Sequence, residues 1–187
     1  MIILNEKHPA LKLAHTFTTG FSGAIIAGGV ARDLFNDRSF SVIDIFIQHG
    51  NKVEEYEQIM AVTKFCCENK LCFEYCSDYN ELNNCFSIKA SDLNNVDVKL
   101  EFSFMYKSLL KLPAEKFVKT FDMVSSEAWL EPMEGGFNIG TTERFEELNE
   151  RKILGIYYSK IEGYYSHINT VAKKYPDYIT LGLEELA

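Results

Sequence analysis

Between Ala27 and Ile47 the chain reads AGGVARDLFNDRSFSVIDIFI, and its clearest capacity for chemistry lies there. Gly28 and Gly29 let the backbone approach a phosphate closely, and a helix starting just after them offers free amides and a positive dipole end. Arg32 and Arg38 are cations that could meet phosphate oxygens. Asp44 is a lone carboxylate inside the apolar run VIDIFI, where an unpaired charge needs a reason. A strand carboxylate beside such a turn could hold Mg²⁺, which takes one or two carboxylates together with phosphate oxygens. Two ions held in this way would polarise the attacking and leaving oxygens of a phosphoryl or nucleotidyl transfer.

These residues need a strand, a tight turn, a helix and a second strand. The pattern predicts a strand over 23–28, a helix over 30–36 and a strand over 41–48. A helix is expected before them, over 6–19. Another is expected over 51–69, capped by Asn51, with Val53, Tyr56, Ile59, Met60, Thr63 and Cys67 as its apolar positions. Strands follow over 71–76, 85–91 and 96–104, with Asn-rich turns between them. Beyond a segment centred on FDMVSSEAWL and a Gly135-Gly136 turn, the chain reads as helical to its end. The expectation is an α/β (α+β) domain over 1–156 and a helical extension over 157–187.

The Ala27–Ile47 stretch resembles the nucleotidyltransferase head domain of the poly(A) polymerase and CCA-adding enzyme family, and most closely its short phage-encoded relatives. That family reads G-G-x-x-R-D, a spacer with a Gly-Arg turn, then D-x-D on a strand. Gly28, Gly29, Arg32 and Asp33 match, Arg38 stands at the turn Arg, and Asp44 falls without a gap on the second Asp of D-x-D. The first Asp falls on Val42 and the turn Gly on Asp37. Downstream, VDVKLEFSF resembles the strand with the third metal carboxylate, which implies Glu101, or less well Asp97. KTFDMVSSEAW resembles a pocket segment, with Asp122 on its Asp and the family arginines replaced by Thr120 and Phe121.

The resemblance implies a mixed central sheet flanked by helices, with Asp44 and Glu101 as catalytic and metal residues. It also implies Gly28, Gly29, Arg32, Asp33, Arg38 and Asp122 as nucleotide-binding residues. Because Val42 cannot ligate a metal, the expected function is a nucleotide- or partner-binding protein with weak or no catalysis. The alternative is an active Mg²⁺-dependent transfer of a nucleotide from an NTP to an RNA or protein acceptor. Plainer readings stand beside these. Arg32 and Asp33 could pair with each other or with the fold, Asp44 could accept from backbone amides or an arginine, and Asp122 could cap a helix. Asp37 is a conceivable substitute ligand. Trp129 and the tyrosines at 157, 158, 164 and 165 read as core or partner face before base-stacking groups, and His167 has no assigned role.

Charge and cysteine content narrow the classes. With 27 acidic and 19 basic residues the net charge is −8, which does not favour nucleic acid as a broad electrostatic partner. Cys66, Cys67, Cys72 and Cys76 crowd together, but their spacing makes no C-x-x-C pair, so thiols rather than a zinc site are expected. No run is apolar enough to span a bilayer and the N-terminus lacks a signal-peptide pattern. The expected location is the cytoplasm, that of a host cell if the chain is phage-encoded.

Overall fold

In the computed structural model, residues 2–3, 8–80, 83–106, 111–157 and 165–183 are described. The chain runs β1 (Ile2–Ile3), α1 (Pro9–Gly20), β2 (Ala24–Ala27), α2 (Gly29–Phe35), β3 (Ile43–His49) and α3 (Lys52–Glu68). It continues β4 (Cys72–Asn80), β5 (Asn83–Asp92), β6 (Asn95–Tyr106), α4 (Ala114–Val118), β7 (Ala128–Met133) and β8 (Gly136–Thr141). The last elements are α5 (Glu143–Glu150), β9 (Ile153–Tyr157), α6 (Tyr165–Lys174) and β10 (Ile179–Leu183).

One sheet of eight strands, in the order β1-β8-β7-β2-β3-β6-β5-β4, organises the molecule. Its pairs are antiparallel except β3–β6, which is parallel because α3, β4 and β5 carry the chain across before β6 returns. Alternation along β3 divides the two faces. Ile43, Ile45 and Ile47 are fully buried against α1, α2 and α3, in a core that includes Leu11, Phe17, Val30, Val62 and Phe102. The opposite face of the sheet's middle is covered by a smaller cluster of Ile25, Ala27, Phe46, Phe117, Phe121 and Trp129. Towards β6, β5 and β4 that same face carries Glu101, Lys99, Ser87, Lys89 and Glu74, all wholly or partly open to solvent.

Three expectations change. The α3 helix is capped as foreseen, with Asn51 Oδ1 accepting from Glu54 N at 2.9 Å. It nevertheless buries Gln58, Val62 and Cys66, while Val53, Tyr56, Met60 and Cys67 face solvent. Periodicity located a stripe but not the side that packs, and Gln58 is accommodated inside by donating to Gln48 O at 3.0 Å. The C-terminal part is not continuous helix. Lys152, at φ 55°, ends α5 in a left-handed residue, and β9 pairs in parallel with β10 on either side of α6. Met123, Leu154, Ile156, Ile168, Val171 and Tyr175 form a second core there. The residues after Asp122 make a single 3-10 turn, Val124–Ser126, preceded by Met123 without a side-chain cap, so Asp122 is not a helix cap.

Tyr158 and Tyr164 lie outside the described residues, as do the first residues expected of α1. Tyr157 is a strand residue, and Trp129 is buried on β7 with its ring against Gly140. Cys66 is a buried free thiol whose pKa burial raises to about 11. Cys67 and Cys72 are exposed free thiols and Cys76 is a half-buried one.

Candidate functional site

The turn between β2 and α2 depends on Gly28. At φ 77° and ψ −128° its backbone lies in a region that only glycine enters without strain. Gly28 N donates to Ala128 O at 2.9 Å, and Gly28 O accepts from Arg32 N at 3.0 Å, so the turn is tied to β7 and to the helix it starts. A Cβ on Gly28 would sit 3.5 Å from Phe121 Cε2. The Phe121 ring therefore lies against the turn itself, packed on Phe46 and Phe117 at centroid distances of 5.3 and 5.4 Å.

Arg32 and Asp33 leave α2 in different surroundings from those of a bare phosphate clamp. Asp33 is 3% exposed and saturated: it accepts from Arg32 Nε at 3.1 Å, from Tyr175 Oη at 2.8 Å and from Lys174 Nζ. Arg38 donates from one nitrogen to Lys174 O at 2.7 Å and from another to Asp177 Oδ1 at 2.8 Å. Both arginines lie over the Tyr175 ring, at 5.2 Å for Arg32 and 4.4 Å for Arg38. Burial raises the Tyr175 hydroxyl well above its ordinary value, the Asp33 hydrogen bond and charge add to that, and the Arg32 charge opposes it. Arg32 is also buried, yet its Nη1 has no hydrogen-bond partner. Its Nη2 lies 3.6 Å from where a Gly29 side chain would begin.

Asp44 and Glu101 are direct register partners on the parallel strands β3 and β6, so both carboxylates project from one face. Burial first, then the Glu101 charge, push the Asp44 carboxyl up to about 6, while the Arg32 charge pulls the other way. Glu101 accepts weakly from Ser87 Oγ at 3.3 Å. The same register row continues to Lys89 and Glu74. Val42 immediately precedes β3, whose first register pair is Ile43 with Leu100. Val42, Lys99, Lys89, Glu101, Ser91 and Cys72 are among the residues that line a cleft of about 520 Å³ on this face.

The structure thus brings together Gly28, Gly29, Arg32 and Asp33 at one turn, and Asp44 and Glu101 on the neighbouring strands, with Arg32 electrostatically linked to Asp44. Arg38 sits at the far end of α2 with the C-terminal residues, and Asp37 is not among the charges that shift Asp44. Asp97 is exposed near the start of β6. Asp122 accepts from Tyr157 N through its backbone carbonyl, and its Oδ2 is buried without a partner. Among the described residues, no three His, Cys, Asp or Glu side chains gather as a metal-binding group. Sequence reasoning missed the Lys89 and Lys99 cations beside the carboxylates and the Lys174-Tyr175 brace. Only Phe121 left a trace, as a departure from the arginine of the pattern the sequence resembles.

No protein-family model and no curated protein matches the chain. Solved structures do. A Thermotoga maritima CCA-adding enzyme complexed with tRNA aligns over 95% of this chain and 40% of its own length, at TM-score 0.55 and 9% identity. A tRNA-processing enzyme in an apo form aligns over 84% of this chain and 41% of its own, at TM-score 0.54 and 13% identity. A tRNA nucleotidyltransferase complexed with a primer tRNA and an ATP analogue aligns over 70% and 34%, at TM-score 0.50 and 12% identity. The chain spans well under half the length of each of these structures. At such identities the likeness establishes a fold: this is a protein of the nucleotidyltransferase fold, with a mixed sheet flanked by helices. Among the described residues no helix is long and apolar enough to cross a membrane.

Proposed function

We propose that the chain binds a nucleoside triphosphate between the Gly28-Gly29 turn and the Asp44–Glu101 pair, with weak or no nucleotidyl transfer. The observation that carries this reading is the carboxylate pair itself: two acidic register partners side by side, and a valine where a third oxygen ligand would complete a two-ion site. Arg32 supports it, because its guanidinium has Nη2 beside the Gly29 position and a buried Nη1 without a partner, a group suited to phosphate oxygens.

Asp44 and Glu101 fit one magnesium ion, which when bound supplies Lewis acidity to phosphate oxygens. They do not fit two, since Val42 has no donor atom and Lys99, which lines the same cleft, is a cation. Arg32 would bind and orient the phosphates. Phe121 would exclude water from the turn, and Lys89 and Lys99 would offset ligand charge at the cleft mouth. The similar structures include complexes with tRNA and with an ATP analogue. For this acidic chain we favour the nucleotide over the nucleic acid, and a protein partner remains compatible with a binding role.

A second reading, an active Mg²⁺-dependent nucleotidyltransferase, draws on the survival of the same Asp44–Glu101 pair. Calorimetry with ATP and CTP in EDTA and in Mg²⁺, together with labelled-NTP incorporation on RNA and protein acceptors, separates the two. Binding that persists in EDTA with no incorporation is expected, and Val42→Asp should raise Mg²⁺ affinity about tenfold or more. Incorporation abolished by Asp44→Ala would establish the enzyme instead. Absence of nucleotide binding in both buffers would remove the proposal altogether.

A further inference from the structure

The apolar positions of α3 that face solvent are evenly organised. Val53, Tyr56 and Met60 are 69%, 65% and 50% exposed, Cys67 is exposed and Thr63 half-buried. Their spacing alternates three and four residues, which is the a/d seam of a coiled coil, on the side of the helix away from Gln58, Val62 and Cys66. Tyr75 of β4, 54% exposed and with Oη 3.1 Å from Thr63 Oγ1, widens the seam. A contiguous exposed stripe of this kind marks an interaction surface.

Charges beside the stripe select its occupant. In heptad terms Glu57 and Lys64 hold the same flank, one turn apart on either side of Met60, and both are exposed. Glu57 has no ion-pair partner among the described residues. Among the described residues Lys64 pairs with Glu68, at 3.7 Å in an exposed pair of little worth.

We propose that α3 packs against α3 of a second copy of this chain, antiparallel, about a two-fold axis at Met60. That arrangement sets Met60 against itself and Val53 opposite Cys67 of the second copy. It places Glu57 against Lys64 of the second copy twice over, as an isologous interface requires. A parallel pairing would leave Lys64 beside Ile59 and align the two helix dipoles instead of opposing them. The stripe is thus self-complementary in shape and sign, whereas a partner of one charge would meet both signs along it. A seam of about five residues on one helix is small for an interface, so association in the micromolar range is expected.

Sedimentation velocity on the full chain, from about 1 to 200 µM, should show a reversible monomer–dimer equilibrium. Glu57→Lys alone and Lys64→Glu alone should each weaken it about tenfold or more, and the double exchange should restore it. All three changes lie on exposed positions, and far-UV circular dichroism checks that the fold is kept. Under oxidation Val53→Cys should give a cross-linked dimer through Cys67, lost when Cys67→Ser is added. A chain that stays monomeric across the range overturns the proposal, as does a dimer indifferent to both single charge changes.

Discussion

Two aspartates eleven residues apart, Asp33 at the end of the turn motif and Asp44 on the next strand, sit in opposite electrostatic conditions. Asp33 is surrounded by donors: Arg32, Lys174 at the end of α6 and Tyr175 just after it all point at it. Asp44 has an acid as its register partner and only the more distant Arg32 charge in its favour. The chain has absorbed the first carboxylate into its own structure, while burial and Glu101 disfavour the charge of the second. A charge that the fold completes is architectural, and one kept at an energetic disadvantage is a candidate for ligand contact. On this basis Asp33 and Asp44 respond to substitution in opposite ways under the proposed reading.

The contrast is broken most directly at Asp33. Asp33→Ala should destabilise the domain by about 3–5 kcal/mol, since it strands a buried arginine and a buried tyrosine hydroxyl together. Urea denaturation would measure this as a large fall in midpoint with little change in slope. A loss below about 1 kcal/mol would mean that α6 is not braced through this residue.

Asp44 should respond with the opposite sign. Its folded pKa of about 6 lies above the ordinary carboxylate value of about 4, so the native state binds the extra proton. The stabilisation from protonation is complete below about pH 4 and is lost as pH rises through about 6. Asp44→Asn should therefore raise stability at pH 7 by about 1–3 kcal/mol and flatten the pH 4–6 portion of the stability curve. Denaturation midpoints at half-unit pH intervals for both chains give the comparison. Equal slopes in the two would show that Asp44 is not under strain.

Much of the scaffold around this pair was legible in the sequence, and for identifiable reasons. Gly28 was readable because its backbone conformation demands glycine, and Asp44 because a carboxylate within VIDIFI breaks an apolar pattern. Glu101 as the partner of Asp44 required the strand register, which depends on α3, β4 and β5 being threaded between β3 and β6. The satisfaction of Asp33 was beyond reach, because Lys174 and Tyr175 lie 141 and 142 residues away along the chain. The reversed face of α3 has a different cause. Its apolar stripe is genuine, yet a buried glutamine with an available carbonyl packs as well as a leucine would, and hydrophobic spacing alone cannot reveal that carbonyl. β9 was hidden by the charged helix α5 before it, which ends only where Lys152 turns left-handed.

The smallest expected effect lies between the two aspartates, at Asp37, the position that the sequence resemblance gives to a turn glycine. Asp37 has φ 52°, in the left-handed region, directly after the last turn of α2. Aspartate enters this region more readily than most residues with a Cβ, but glycine does so without steric cost. Asp37 is exposed, and its backbone amide donates to Leu34 O at 3.3 Å, a bond that glycine would keep. Asp37→Gly should therefore stabilise by about 0.5–1 kcal/mol, offset in part by the greater freedom of glycine in the unfolded chain. A thermal midpoint about 1–4 °C higher would agree. The same substitution should leave nucleotide binding unchanged, because the turn positions Arg38 and not the Asp44–Glu101 pair. A drop in nucleotide affinity with Asp37→Gly would instead move Asp37 to the ligand side of the division, beside Asp44.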